Sequence, residues 1–314
     1  MVDETPLQGG LGKKDLPRPP SFSAALLAAS LSVAFGANAV AIKMSLAGIG
    51  PFTNAGLRFA LASATLFLFA RLTRRSLKVD RNQMWNLFFL TILFVFQFSF
   101  MYVGIDKSNA SRATLMINLQ PFFVLFLAHF LIPGDRMTVK KVLALVLGFT
   151  GVALVFFEER GVSSDFRTGD LLMLLTTLIW AFRAVYMKRI IQVFGTFELV
   201  LYPMMLSIPV FLLEGVLWDK SMVARLDAGI VTALLYQGLL MASFGFLGWN
   251  ALLHKHGAVW VNSFNFVMPV TGVLLGGLLL GEPLTVKIWF ALAFVTAGIV
   301  VIQTKTRRQM TEGR

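Results

Sequence analysis

Two arginines, Arg58 and Arg183, stand inside long apolar runs, and no Asp or Glu lies at the centre of any such run. A guanidinium in that setting suits one task, because its planar fork donates paired hydrogen bonds to a carboxylate or phosphate. A charge at the middle of a bilayer costs at least ~2.5–3.5 kcal/mol, so each arginine needs a partner or an escape. Arg183 shares a helical face with Thr176 and Trp180. Arg58 lies only about two turns from the end of its run, where it could also snorkel or pair structurally. Two polar stripes add to the pattern. Ser111, Thr114, Asn118 and Pro121 fall at i, i+3, i+7 and i+10, and Asn262, Asn265, Pro269 and Gly272 repeat that spacing. Each proline deletes the hydrogen bond otherwise accepted by the carbonyl four residues earlier, that of Ile117 and that of Asn265. In a membrane such a carbonyl needs a partner or must face water. The stripes read as two kinked helices facing one aqueous path. The alternative is that the prolines only bend helices and the asparagines bond their neighbours.

Other chemistry is excluded. The chain has no cysteine, which removes disulfides, thiolate metal sites and cysteine nucleophiles. Its three histidines, His129, His254 and His256, form no H-E-x-x-H arrangement, and no P-loop is present. Neither a serine–base pair nor paired carboxylates occupy a span. We therefore expect no enzyme, no metal and no cofactor. The net charge of +12 does not point to nucleic acid, because the basic residues collect at alternate helix ends. An exporter of lipophilic cations would bury a carboxylate on its path, and none is present at mid-span. Glu282 and Asp135 are expected to cap helix starts around Thr285 and Thr138.

The elements that must position these residues are membrane helices. With 57% hydrophobic and 14% charged residues, the 314-residue chain is far more apolar than a soluble domain. The apolar residues arrive in blocks of about 20, the length needed to cross the hydrocarbon core. The spacing predicts an all-α integral membrane protein with spans at 23–48, 52–71, 84–104, 110–133, 138–157, 169–188, 196–217, 229–253, 258–281 and 285–303. Residues 1–22 read as a cytoplasmic tail without a cleavable leader, and 304–314 as a second. Eighteen of the 28 lysines and arginines fall on the side of the termini, eight on the other, and Arg58 and Arg183 within spans. Both termini are therefore expected in the cytoplasm.

The second half repeats the first. Gly134-Asp135-Arg136-Met137-Thr138-Val139-Lys140 returns as Gly281-Glu282-Pro283-Leu284-Thr285-Val286-Lys287. Pro121 is matched by Pro269, and Asn38 by Arg183. With five spans each, the repeats at 23–157 and 169–303 must have opposite orientations. Inverted repeats are a mark of secondary transporters, with the substrate held near the midplane.

The ten-span plan, the duplicated Pro…Gly-acid-x-x-Thr segment and the Gly151/Gly298 pair resemble the drug/metabolite transporter superfamily, specifically its EamA-type branch. The resemblance covers roughly residues 23–303. It implies inner helices lining a central cavity, with the fifth and tenth spans peripheral. The substrate path is assigned to Asn38, Arg58, Gln97, Thr114, Asn118, Pro121, Trp180, Arg183, Tyr186, Asn262, Asn265 and Pro269. The expected function is a permease of the bacterial inner membrane that moves a small polar metabolite by alternating access. An amino acid or related carboxylate is the best single substrate, moved outward, by a protein functional as a monomer. The alternatives are a phosphate-bearing substrate such as a nucleotide or sugar phosphate, or a membrane receptor or scaffold that transports nothing.

Overall fold

The computed structural model describes residues 21–75, 77, 79, 81–131, 137–156, 164–190 and 197–303. Both expected tails, apart from residues 21 and 22, and Asp135 lie outside the described residues. Within them, ten helices are long and apolar enough to cross a membrane. They are Phe22–Leu46, Pro51–Leu72, Met84–Lys107, Ala110–Leu131, Val139–Phe156, Phe166–Lys188, Glu198–Trp218, Ala228–Leu253, Trp260–Leu280 and Val286–Gln303. The sixth helix starts at Ser164, five residues before the expected boundary. Ten crossings return the chain to the side where it began. That side is called terminal here, and the opposite one distal.

Helix ends are set by side chains that satisfy the free N–H groups of the first turn. The Ser21 hydroxyl accepts from Ala24 N, Asn109 Oδ1 from Arg112 N, and Asp227 Oδ1 from Ile230 N. Pro51 opens the second helix, at a position where its missing N–H costs nothing. Gly281 closes the ninth at φ +65°, a left-handed conformation that glycine adopts freely.

The helices of the two polar stripes, the fourth with Pro121 and the ninth with Pro269, are broken where the spacing predicted kinks, whereas the seventh stays continuous through Pro203 and Pro209. The fourth divides into Ala110–Ile117 and Gln120–Leu131. The ninth divides into Ala258–Asn262 and Val267–Leu280. Proline removes a donor and disfavours helical geometry in the residue before it, so each break falls just upstream. The carbonyl of Asn265, expected to be free, accepts from Met268 N at 3.1 Å. Residues Tyr236–Gly245 of the eighth helix widen into a π-helical stretch, a feature frequent at functional sites.

Packing interleaves the first five helices with the last five. The second packs on the seventh, the third on the sixth, the first on the eighth and ninth, and the fifth on the tenth. Small residues permit the closest approaches. A Cβ at Gly36 would lie 2.5 Å from the Met268 carbonyl, and one at Gly151 would lie 2.9 Å from that of Ala291.

One buried ion pair ties the halves together. Arg112, counted from sequence as a residue of the distal surface, is buried with Asp170 of the sixth helix. Its Nε and Nη2 both donate to the Asp170 carboxylate, and Nη2 also donates to the Val155 carbonyl at 2.8 Å. Ser108 Oγ donates to Asp170 at 2.8 Å. The sequence cannot distinguish a charge near the end of a span that faces headgroups from one that turns inward. Removing one member of such a pair strands the other, at about 3–5 kcal/mol, whereas replacing both with apolar groups is often neutral. Asp170→Leu or Arg112→Met alone should therefore sharply lower the melting temperature of detergent-purified protein. The double substitution should recover most of the loss, as read by fluorescence-detected unfolding.

Candidate functional site

A cavity of about 590 Å³ lies between the two halves, lined by residues of nine of the ten helices. In the distal half of the bundle its wall is formed by Asn38, Arg58, Met101 and Thr114. Towards the terminal side it is formed by Met187, Val200, Leu253 and Asn262. None of its lining residues comes from the distal helix ends. Both helix breaks abut it: Ile117, Asn118, Gln120 and Pro121 on one side, Asn262, Asn265 and Met268 on the other.

Of the path residues expected from sequence, the structure gathers Asn38, Arg58, Thr114, Asn118, Pro121, Trp180, Asn262 and Asn265 onto this wall. It places four elsewhere. Pro269 is buried beside the wall without reaching it. Gln97 is buried, and both its side-chain polar atoms lack partners. Tyr186 donates to Asn86 Oδ1 at 2.8 Å, joining the sixth helix to the third. Arg183 lies behind aromatic rings, its guanidinium carbon 4.9 Å from the Phe94 centroid and 6.0 Å from that of Phe98. Ile299 of the tenth helix also reaches the cavity, so that helix is not wholly peripheral.

The wall is chiefly apolar, with a few polar atoms facing it that lack partners. Asn38 Oδ1, Arg58 Nε, Thr114 Oγ1 and Asn265 Oδ1 are buried with no hydrogen bond from the described residues. An unsatisfied buried polar atom costs ~1–3 kcal/mol, so four of them on residues of one cavity wall make that wall the candidate site for a polar ligand or water. Among the described residues no carboxylate lines it. The Arg58 guanidinium is held 5.4 Å from the Phe59 centroid and 5.8 Å from that of Phe98, with Nη1 3.5 Å from the Tyr102 hydroxyl.

Beyond Arg58 the bundle is sealed by a buried hydrogen-bond chain. The Tyr102 hydroxyl donates to Gln237 Oε1 at 2.8 Å. Gln237 Nε2 donates to Ser45 Oγ at 2.8 Å and to the Ala41 carbonyl at 3.2 Å, and Asn54 Nδ2 donates to Ser45 Oγ at 2.6 Å. Tyr102, Gln237, Ser45 and Asn54 are fully buried on four different helices. The sequence reading missed Tyr102. The signal available was the single tyrosine of the third helix, in its distal half and close in sequence to Gln97 and Ser99.

Contacts across the halves close the distal surface. Glu282 does not cap the tenth helix; the Thr285 hydroxyl does, accepting from Ile288 N at 3.4 Å. Glu282 instead accepts from Ala110 N at 2.6 Å and Ser111 N at 2.8 Å, capping the fourth helix in the other half. Ser111 Oγ also donates to it, so this member of the polar stripe is engaged. Asp219 likewise accepts from Thr53 N and Oγ1 at the start of the second helix. Within the first half, Lys43 Nζ donates to the carbonyls of Ile105, Asp106 and Ser108 at the end of the third helix, where a cation is favoured. Gly276 faces Ser111 and Glu282 so closely that an added Cβ would lie 2.3 Å from Ser111 Oγ.

The native chain lacks cysteine, so single cysteines report access cleanly. Met187→Cys and Leu253→Cys should react with a membrane-impermeant thiol reagent supplied on the terminal side. Ser45→Cys should stay protected until the protein is denatured, and adding Gly276→Ala should increase its labelling. Rapid labelling of Ser45→Cys in the otherwise native protein would show that the distal seal does not form.

Comparison with known proteins agrees with this architecture. The pattern of the EamA-like transporter family matches twice, over residues 22–157 and 167–304. A protein of Archaeoglobus fulgidus named "Uncharacterized transporter" is 28% identical over 88% of this chain and 97% of its own length. The "Uncharacterized transporter YvbV" of Bacillus subtilis is 27% identical over 92% and 94%. A "Probable amino-acid metabolite efflux pump" of Escherichia coli is 27% identical over 88% and 93%. One solved crystal structure shares the fold with a TM-score of 0.65 at 19% identity, over 90% of this chain and 98% of that one. With ten membrane-crossing helices around a polar-studded cavity, and a family pattern covering both halves, this chain is a multi-pass membrane transporter belonging to the EamA-like transporter family.

Proposed function

We propose that this transporter exports an amino acid or a related carboxylate across the bacterial inner membrane by alternating access. The observation that carries the reading is the set of unpartnered atoms on residues of the cavity wall: Arg58 Nε with the amide oxygens of Asn38 and Asn265. A guanidinium suits a carboxylate, and two amide oxygens that accept nothing suit an ammonium group. One cavity therefore offers both halves of a zwitterion. The name of the Escherichia coli relative supports the same substrate class and the outward direction.

Side and mechanism follow from charge and symmetry. The basic residues favour the terminal side, which supports a cytoplasmic position for that side and a cavity that faces the cell interior. Five helices per half, with the second paired on the seventh and the fifth on the tenth, support two repeats of opposite orientation. Rocking one half against the other would open the distal side and close the terminal side around a fixed site. The absence of a carboxylate on the described wall favours exchange or facilitated diffusion over proton coupling.

The test is a substrate panel in proteoliposomes, with and without a pH gradient. Amino-acid counterflow should occur with no gradient. Asn38→Ala and Asn265→Ala should each reduce it about tenfold, the worth of a hydrogen bond to a charged group, in protein of near-native stability. Reporters fused at either terminus should read cytoplasmic. Absence of counterflow for every amino acid, or a periplasmic terminus, would remove this reading.

A further inference from the structure

The cavity region carries two guanidiniums and no described counter-ion. Arg183 Nε and Nη1 are buried, and neither has a hydrogen-bond partner. What holds both arginines is aromatic. Phe59, Phe94 and Phe98 form a triangle with centroids 4.6–4.7 Å apart. Arg58 packs on Phe59 and Phe98, and Arg183 on Phe94 and Phe98. Ring faces attract cations, more strongly when desolvated. That offsets part of the cost of an unpaired charge and leaves Arg58 Nε and Arg183 Nε and Nη1 without hydrogen-bond partners.

Both arginines touch the same ring, and Phe98 lines the cavity. Arg183 lies on the helical face shared by Trp180 and Met187, which line the cavity on either side of it in sequence. The guanidinium carbons lie 5.8 and 6.0 Å from the Phe98 centroid, so their separation cannot exceed the sum of those distances. With C–C bonds of ~1.5 Å, the acidic carbons of a four- or five-carbon diacid stand about 4–5 Å apart. A charge-assisted hydrogen bond of ~2.8 Å at each end bridges the remaining gap.

We propose that the substrate carries two anionic groups, one bound by Arg58 and the other by Arg183 once the Phe98 ring turns aside. This rests on the reading of the cavity as a carboxylate site and narrows it from amino acids in general to acidic ones and their diacid or phosphate analogues. Arg58 on the wall and Arg183 behind Phe98 together supply two positive charges, and the single carboxylate of a neutral zwitterion pairs with only one of them. An unpaired charge in a low-dielectric site is costly, which favours a ligand with two anionic groups.

The experiment measures ligand-dependent thermal stabilisation and counterflow of the full chain with L-glutamate, L-aspartate, succinate, O-phosphoserine and L-leucine. In the wild type the four ligands that carry two anionic groups should bind more tightly than leucine. Arg183→Gln should lose about tenfold more affinity for these four than for leucine, the worth of a charge-assisted bond. Arg183→Lys should give the same ordering with a smaller loss, and serves if the glutamine variant does not fold. Equal losses for leucine and the four, or no binding of any of the four to the wild type, would overturn the proposal. Binding of succinate and phosphoserine without flux of any amino acid would uphold this inference and sink the amino-acid reading. Flux of leucine with no binding of any of the four would do the reverse.

Discussion

Water is absent from a bilayer core, so every polar atom there must bond within the protein or face a cavity that admits water or substrate. That constraint sorts the polar residues of this chain into two sets. One set is consumed by structure: Arg112 with Asp170, Glu282 on the fourth helix, Asp219 on the second, and Tyr102 with Gln237. The other set is left over, and four of its atoms belong to residues of one cavity wall: those of Asn38, Arg58, Thr114 and Asn265. Being left over does not by itself make an atom functional, since those of Gln97 are unpartnered away from the cavity; it is the shared wall that singles out the four.

The two sets also divide the molecule along its axis. The distal end is closed by bonds that cross between halves: carboxylates of the second half cap helices of the first, and Gln237 joins Tyr102 and Ser45. Each is short and buried or half-buried, yet each links groups that can be exchanged for water if the halves part. The terminal end has a cavity where the distal end has bonds. A helix broken at Asn118 and another broken at 263–266 give the walls a joint. The ten-residue π-helical stretch around Gln237 is a third irregular segment, placed at the seal itself.

Much of this was legible in the sequence, and the reasons differ by feature. Ten spans follow from block length alone, and the prolines with their asparagine stripes marked both breaks and much of the cavity wall. What was not legible depends on partners far away in the chain. Glu282 looks like a cap for the helix that follows it, but its carboxylate reaches Ala110 and Ser111 more than 170 positions earlier. Arg112 looks like a headgroup contact because nothing local shows that Asp170 faces it. From sequence, Arg58 differs from Arg183 only in lying about two turns from the end of its span, where it could snorkel. The structure separates them by something periodicity does not encode, the aromatic triangle that exposes one to the cavity and shields the other.

The central claim is that one end of the bundle is sealed while the other holds the open cavity, and that substrate exchanges the two. Electron–electron distance measurements on spin-labelled protein test it directly, on a chain with no native cysteine. Labels at Asp106→Cys with Ser221→Cys report the distal end, and Leu72→Cys with Lys255→Cys the terminal end. With saturating L-glutamate, and with L-leucine in a parallel sample, the distal distance should lengthen in a subpopulation whose terminal distance shortens. Distances that stay fixed under both ligands, or that change in the same direction at both ends, would contradict alternating access in this protein.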